Sequence, residues 1–111
     1  MAYDHRLAAR IRGVFGHRKG VEEKRMFGGL AFLVGGHMAC GIVGEELMVR
    51  VGPRAYEAAL AEPHVREMDF TGKPLRGMVY VGVDGIAAED DLARWVERGH
   101  DYAASLPPKT A

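Results

Sequence analysis

The apolar positions of this 111-residue chain fall into blocks of two different periods. Tyr3, Leu7, Ile11, Val14 and Phe15 recur at helical spacing, with Arg6, Arg10 and Arg12 mostly on the opposite side. This spacing predicts a helix over 3–15 that Gly16 closes, followed by a charged connection over 17–25. The next block, MFGGLAFLV over 26–34, has no polar side chain. Its length and the Gly35-Gly36 that ends it predict a strand and a tight two-residue hairpin turn. His37–Val43 is the return strand, Gly44-Glu45-Glu46 a second turn, and Leu47–Val51 a third strand. In that third strand Leu47, Val49 and Val51 share one face, and Met48 and Arg50 the other.

Pro53 opens a second predicted helix, PRAYEAALAE, which Pro63 ends. Val65–Phe70 and Met78–Val83 read as two more strands. The polar TGKPLRG loop between them is punctuated by Gly72, Pro74 and Gly77. The last block predicts a helix over 88–106, with a stripe of Leu92, Trp95, Val96, Gly99, Ala103 and Leu106 and with Tyr102 at its edge. Glu89, Asp90 and Asp91 occupy its first turn, where the helix dipole favours acids, and Pro107-Pro108 stops it. Residues 108–111 read as a frayed tail.

The predicted order is α-β-β-β-α-β-β-α over one domain spanning 1–111. Strands joined by short turns imply a two-layer α+β fold, a five-stranded antiparallel sheet with three helices, and not alternating βαβ units. The first strand adds a constraint. Phe27, Ala31 and Leu33 point to one face, and Met26, Leu30, Phe32 and Val34 to the other. Both faces are apolar and both call for cover. Either a homodimer through the open sheet face or a helix packed on that face supplies it.

Charge adds little to the overall picture, since 15 Lys and Arg balance 15 Asp and Glu. Residues 1–25 hold seven bases and three acids, and residues 84–101 six acids and two bases. Two solvated helix faces, adjacent in the fold, account for this polarity. The sharper alternative is a basic patch offered to an acidic partner or DNA. A lone cysteine, Cys40, in an apolar run fits a reducing compartment. The charged start is unlike a signal peptide, and no apolar stretch has membrane-spanning length. The expectation is a cytoplasmic protein.

Several segments in order resemble a known family. They are Met26-Phe27-Gly28-Gly29, Leu47-Met48-Val49-Arg50-Val51-Gly52 leading into Pro53, Met68 through Pro74, Gly77 through Val81, and Leu92 through Trp95-Val96. Together they resemble the N-terminal domain of the TfoX/Sxy family of bacterial competence regulators, over about residues 5–108. The resemblance implies a two-layer α+β domain with an antiparallel sheet. It also implies a regulatory role: full-length members are transcriptional co-activators of DNA-uptake genes, thought to work with the cyclic-AMP receptor protein. Those members carry a second, helical domain beyond the matching region, and the expectation is that this chain, read to Ala111, stands without it.

Candidate chemistry is sparse. His37 and Cys40 have H-x-x-C spacing, but residues three apart on a regular strand face opposite sides and do not share a metal. Cys40 reads as a small buried apolar residue. Gly28-Gly29 lacks the phosphate-loop pattern and precedes a strand. It reads as a bulge or a close backbone approach, with a ligand lying over it as the alternative. Arg50, in an otherwise apolar strand, pairs with Glu67 or Asp69, or else marks a polar spot that Arg25, Lys73 and Arg76 join to hold an anion. No paired carboxylates or Ser/His/Asp arrangement suggest catalysis. The expectation is a non-enzymatic regulatory or adaptor domain without cofactor or metal, acting through protein contacts and as a homodimer. Its candidate interaction surface is Arg25, Met26, Phe27, Gly28, Gly29, Arg50, Lys73 and Arg76. A small-molecule module using the open sheet face is the alternative, and direct DNA binding ranks below both.

Overall fold

The computed structural model describes residues 3–26, 28–68 and 76–107. Three helices and a six-stranded antiparallel sheet form two layers. Helix α1 spans His5–Phe15, followed by strands β1 (Val21–Met26), β2 (Gly29–Val34), β3 (His37–Val43) and β4 (Glu46–Arg50). Helix α2 (Tyr56–Leu60), strands β5 (Val65–Glu67) and β6 (Met78–Val81), a 3-10 turn over Val83–Gly85 and helix α3 (Glu89–Ser105) complete the order. The sheet runs β1-β2-β3-β4-β6-β5.

The sheet has one strand more than the five expected. Residues 21–26 form an edge strand and not a charged connection. Its sequence, VEEKRM, carries charge on both faces, so no alternation betrays it. The apolar run from Met26 therefore divides. Met26 closes β1 opposite Gly29, the first residue of β2, and Gly28 between them has φ +73°. Helix α2 is also shorter than expected: Pro53, Arg54 and Ala55 form a turn before it. The expected strand over 65–70 is seen from Val65 to Glu67, and its end, Asp69-Phe70, lies outside the described residues. So does the tail at 108–111.

Local chemistry explains the boundaries. Asp4 caps α1, its carboxylate accepting from the Arg6 and Leu7 amides at 2.8 and 3.2 Å. Gly35 and Gly36 both have positive φ, as the tight β2–β3 hairpin requires. The three acids of the first turn of α3 stand at its positive end.

All three helices pack on one face of the sheet. Leu7, Ile11 and Phe15 of α1, Tyr56 and Ala59 of α2, and Leu92, Trp95 and Val96 of α3 share a single core. From the sheet, Leu30, Phe32, Cys40, Ile42, Leu47, Val49, Val79 and Val81 meet them. No helix among the described residues covers the second face. Helix and sheet backbones come very close where α3 crosses β3. A methyl group built on Gly99 would overlap the Ala39 carbonyl oxygen. Ala39 lies beside a bulge that shifts the β2–β3 register between Phe32 and Leu33, and it packs with Val34 and Ala103.

The two glycines inside helices should therefore respond oppositely to alanine. Gly13 of α1 has open space where a methyl would go, so Gly13→Ala should stabilise by about 1 kcal/mol through helix propensity. Gly99→Ala must push α3 off β3 and should destabilise by about 2 kcal/mol or more. Urea denaturation of both variants measures the contrast.

Candidate functional site

The second face of the sheet is built by alternation. Met48 of β4 lies opposite Gly41 and Tyr80, and Tyr80 lies opposite Arg66. Met48, Met68 and Tyr80 form a buried cluster against which Met38, Val43 and Met78 pack, all half-buried. Gly41 leaves room for the Met48 methyl, which a Cβ there would strike. At the β5 edge the Arg66 guanidinium stacks on the Tyr80 ring at 4.4 Å and reaches the Glu46 carboxylate. Four methionines, one tyrosine and one arginine thus form a patch on the side away from the helices. Sequence alternation points to Met48, Met78 and Tyr80. Met38 is hidden from such a reading by the bulge beside it.

Among the described residues, the candidates named from sequence do not converge on one point. Arg25 lies on the edge strand β1 opposite Leu30, on the helix side. Arg50 lies on β4, with β2 and β3 between, roughly 14 Å away at the usual strand spacing. Its guanidinium carbon stands 5.5 Å from the Tyr102 ring of α3. The expected pairing with Glu67 is not formed, because Glu67 opposes Val79 and Arg50 opposes Met78. Asp69, the other partner considered, lies outside the described residues. Arg76 sits over the Tyr56 ring at 5.7 Å. Gly28 is a turn residue, and Gly29 allows the close approach expected of the pair, since a methyl there would overlap the Ile42 carbonyl oxygen. Met26 ends β1, and Phe27 and Lys73 fall outside the described residues.

His37 and Cys40 serve separate ends. The His37 ring, Nε2 at 2.6 Å from the Pro107 carbonyl oxygen, ties the β2–β3 hairpin to the end of α3. The bulge between them breaks the simple alternation assumed for this pair. Cys40 is fully enclosed beneath the helices, and burial pushes its thiol up to about 12, away from the reactive thiolate. One trio of ligand-type side chains, Glu97, His100 and Asp101, lies within reach of one point among the described residues. The Arg18 guanidinium already engages both Glu97 oxygens, which opposes a cation there.

The basic start and the acidic end of the chain are adjacent in the fold. Arg10 donates to Glu89 at 2.6 Å, and Arg18 to Glu97. Glu62, just after α2, accepts from Arg94 and Arg98 at 2.9 and 2.6 Å, and both guanidinium groups stack on Trp95. The Arg12 fork holds Glu23 through two bonds of 2.7 Å and keeps its carboxyl below the ordinary range. Arg18 does the same for Glu97. Burial pushes Glu62 upward, but its two arginine hydrogen bonds outweigh this and leave it lowered.

A cleft of about 500 Å³ opens elsewhere, between the first turns of α1, the β3–β4 turn and the segment before α3. Leu7, Ala9, Val83 and Ile86 line it together with Asp4, Arg6, Arg10 and Glu45. Val83, 46% exposed, is the one large apolar side chain that stands well out of the surface among the described residues.

Comparison with known families finds a match to the TfoX N-terminal domain over residues 14–103, from the last turns of α1 to the last turns of α3. The chain belongs to the TfoX N-terminal domain family. Neither curated proteins nor solved structures gave a match. The matched region of the TfoX domain takes in the whole sheet and its second face, together with all of the core except the α1 side, where Leu7 and Ile11 precede it.

Two outcomes follow from the titrating groups. Native protein should leave Cys40 untouched by a thiol reagent such as dithionitrobenzoate, with one equivalent reacting only after denaturation. The three glutamates have folded values below the ordinary 4.5. Their contribution to stability is therefore complete above 4.5 and lost as pH falls through the folded values. Thermal midpoints should hold from neutral pH to about 5 and drop below it, the drop being modest because the pairs are partly exposed. Glu62→Gln should flatten that acid limb.

Proposed function

We propose that this TfoX-family domain is a non-catalytic regulatory or adaptor module that works in the cytoplasm through protein contacts, as a homodimer. The observation that carries the reading is the one-sided packing of the helices. It leaves the second sheet face outside the helical layer, with Met38 and Met78 half-buried at its surface over the enclosed Met48, Met68 and Tyr80. Methionine is unbranched and polarizable, so a face rich in it adapts to the shape of a partner. Family membership supports a role of this regulatory kind. The inert Cys40 and the absorption of the shifted glutamates into ion pairs support a non-catalytic role. No helix of the described residues is long and apolar enough to cross a membrane.

Direct DNA binding has less support. Arg10, Arg12 and Arg18, three of the seven cations that would form a basic N-terminal patch, are each occupied by a glutamate. A second reading, a small-molecule module, is favoured by the cleft beside Leu7, Val83 and Ile86 and not by the sheet face first considered.

The adaptor reading predicts that tagged protein captures a defined partner from a native lysate, and that Met38→Glu with Met78→Glu abolishes capture while Val83→Glu leaves it intact. A protein that captures nothing, or whose capture ignores the methionine substitutions, overturns it. In a thermal-shift screen against metabolites, saturable stabilisation by one compound that Val83→Glu abolishes would favour the cleft instead.

A further inference from the structure

Strand β1 is the longer open edge of the sheet. It makes six consecutive pairs with β2, and among the described residues no strand lies on its other side, whereas β5 at the far edge has three residues. The direction of its backbone groups follows from one bond. Gly35 N donates to Gly20 O at 3.3 Å, one position beyond the Val21↔Val34 pair. Hydrogen-bonded and non-hydrogen-bonded pairs alternate along an antiparallel ladder. Glu22, Lys24 and Met26 therefore turn their N–H and C=O groups to β2, and Val21, Glu23 and Arg25 turn theirs outward. The outer edge is exposed, with only Val21 and Met26 at its ends half-buried.

We propose that this edge pairs with the same edge of a second copy of the chain, antiparallel about a twofold axis through Glu23. The inference rests on the homodimer of the reading above and says where the two copies meet. A twofold perpendicular to the sheet keeps the helical layers on one side, so only residues of the same face can oppose each other. Centring the axis on Glu22 sets two glutamates face to face, and centring it on Lys24 sets two lysines face to face. Both like pairs would fall in the close non-hydrogen-bonded positions, with nothing on the strand to neutralise them. Centring on Glu23 instead places Glu22 opposite Lys24 twice, in those same close positions on the second face. It also brings the outward groups of Val21, Glu23 and Arg25 opposite those of Arg25, Glu23 and Val21, forming about six inter-strand hydrogen bonds.

Glu23 alone opposes its own copy, and its charge is already answered. Arg12 of α1 donates to both carboxylate oxygens at 2.7 Å on the helix side. Two arginines and two glutamates then surround the axis with no net charge. The same charges deter pairing with an uncharged apolar strand, which is how exposed edges avoid indiscriminate association. The result is one continuous sheet through both copies, with both methionine patches on its second side.

Light scattering and sedimentation of the intact chain over a concentration series test this. The native protein should dimerise. Lys24→Glu should weaken the dimer at least about tenfold, because two attractive cross-strand pairs become repulsive. The exchange of both charges, Glu22→Lys with Lys24→Glu, should restore it. Thermal midpoints measured well below the dissociation constant show that each monomer is folded. Cysteine at the axis, Glu23→Cys, should cross-link under mild oxidation, since hydrogen-bonded pairs hold Cα atoms about 5.5 Å apart, within disulfide reach. A dimer indifferent to Lys24→Glu and unlinked by Glu23→Cys overturns the edge while leaving the homodimer standing. A native chain that stays monomeric at every concentration overturns both, and leaves partner capture by the methionine face to its own test.

Discussion

The contact between α3 and β3 sets the geometry of the molecule. At Gly99 the helix backbone comes so near the Ala39 carbonyl that no side chain fits between them. That approach seats Leu92, Trp95 and Val96 deep against β3 and β4, and it explains why a helix otherwise rich in charge carries a glycine at its centre. Helix α1 then packs beside α3, with Phe15 meeting the Phe32 ring at 5.7 Å. Helix α2 is tied to α3 through Glu62 and the arginines that stack on Trp95. With α3 held this tightly, the helical layer covers the central strands on one side of the sheet and leaves the β1 edge exposed.

The second side answers the same problem differently. Its apolar residues are not bare, because Met48 lies across Gly41 and the methionines bury one another beside Tyr80. Long unbranched side chains can lie flat along a sheet in a way that leucine or valine cannot. This resolves the tension created by a strand that is apolar on both faces. Met48, Met68 and Tyr80 are enclosed in this way, and Met38 and Met78 stay half-buried at the surface of that side.

Much of this was legible in the sequence, and the exceptions share a cause. The helices α1 and α3 showed themselves through stripes that bury almost as expected, Leu7, Ile11 and Phe15 in one and Leu92, Trp95, Val96, Gly99 and Ala103 in the other. The β2–β3 hairpin followed from Gly35-Gly36. Strand β1 escaped because an edge strand bearing Glu22, Glu23, Lys24 and Arg25 buries little, and periodicity reports only burial. The methionine face was half legible, since alternation gave Met48 but could not foresee that a bulge at Ala39 would resituate Met38. The arginines grouped as an anion site were a matter of residue type alone. Strand order separates Arg25 from Arg50, and no local signal in the chain encodes strand order.

The fate of the charges connects fold to function. A chain with a basic start and an acidic end has the makings of a polyanion-binding protein, yet the fold spends that polarity internally. Arg10 and Arg18 reach α3, Arg12 holds β1, and Arg94 and Arg98 secure the end of α2. Each of these cations would have to abandon a carboxylate to meet a phosphate. Two surfaces carry the contacts proposed above. One is a methionine patch flanked by Arg66 and Tyr80. The other is a six-residue edge on which two acids, Glu22 and Glu23, precede two bases, Lys24 and Arg25, a pattern complementary to itself when reversed.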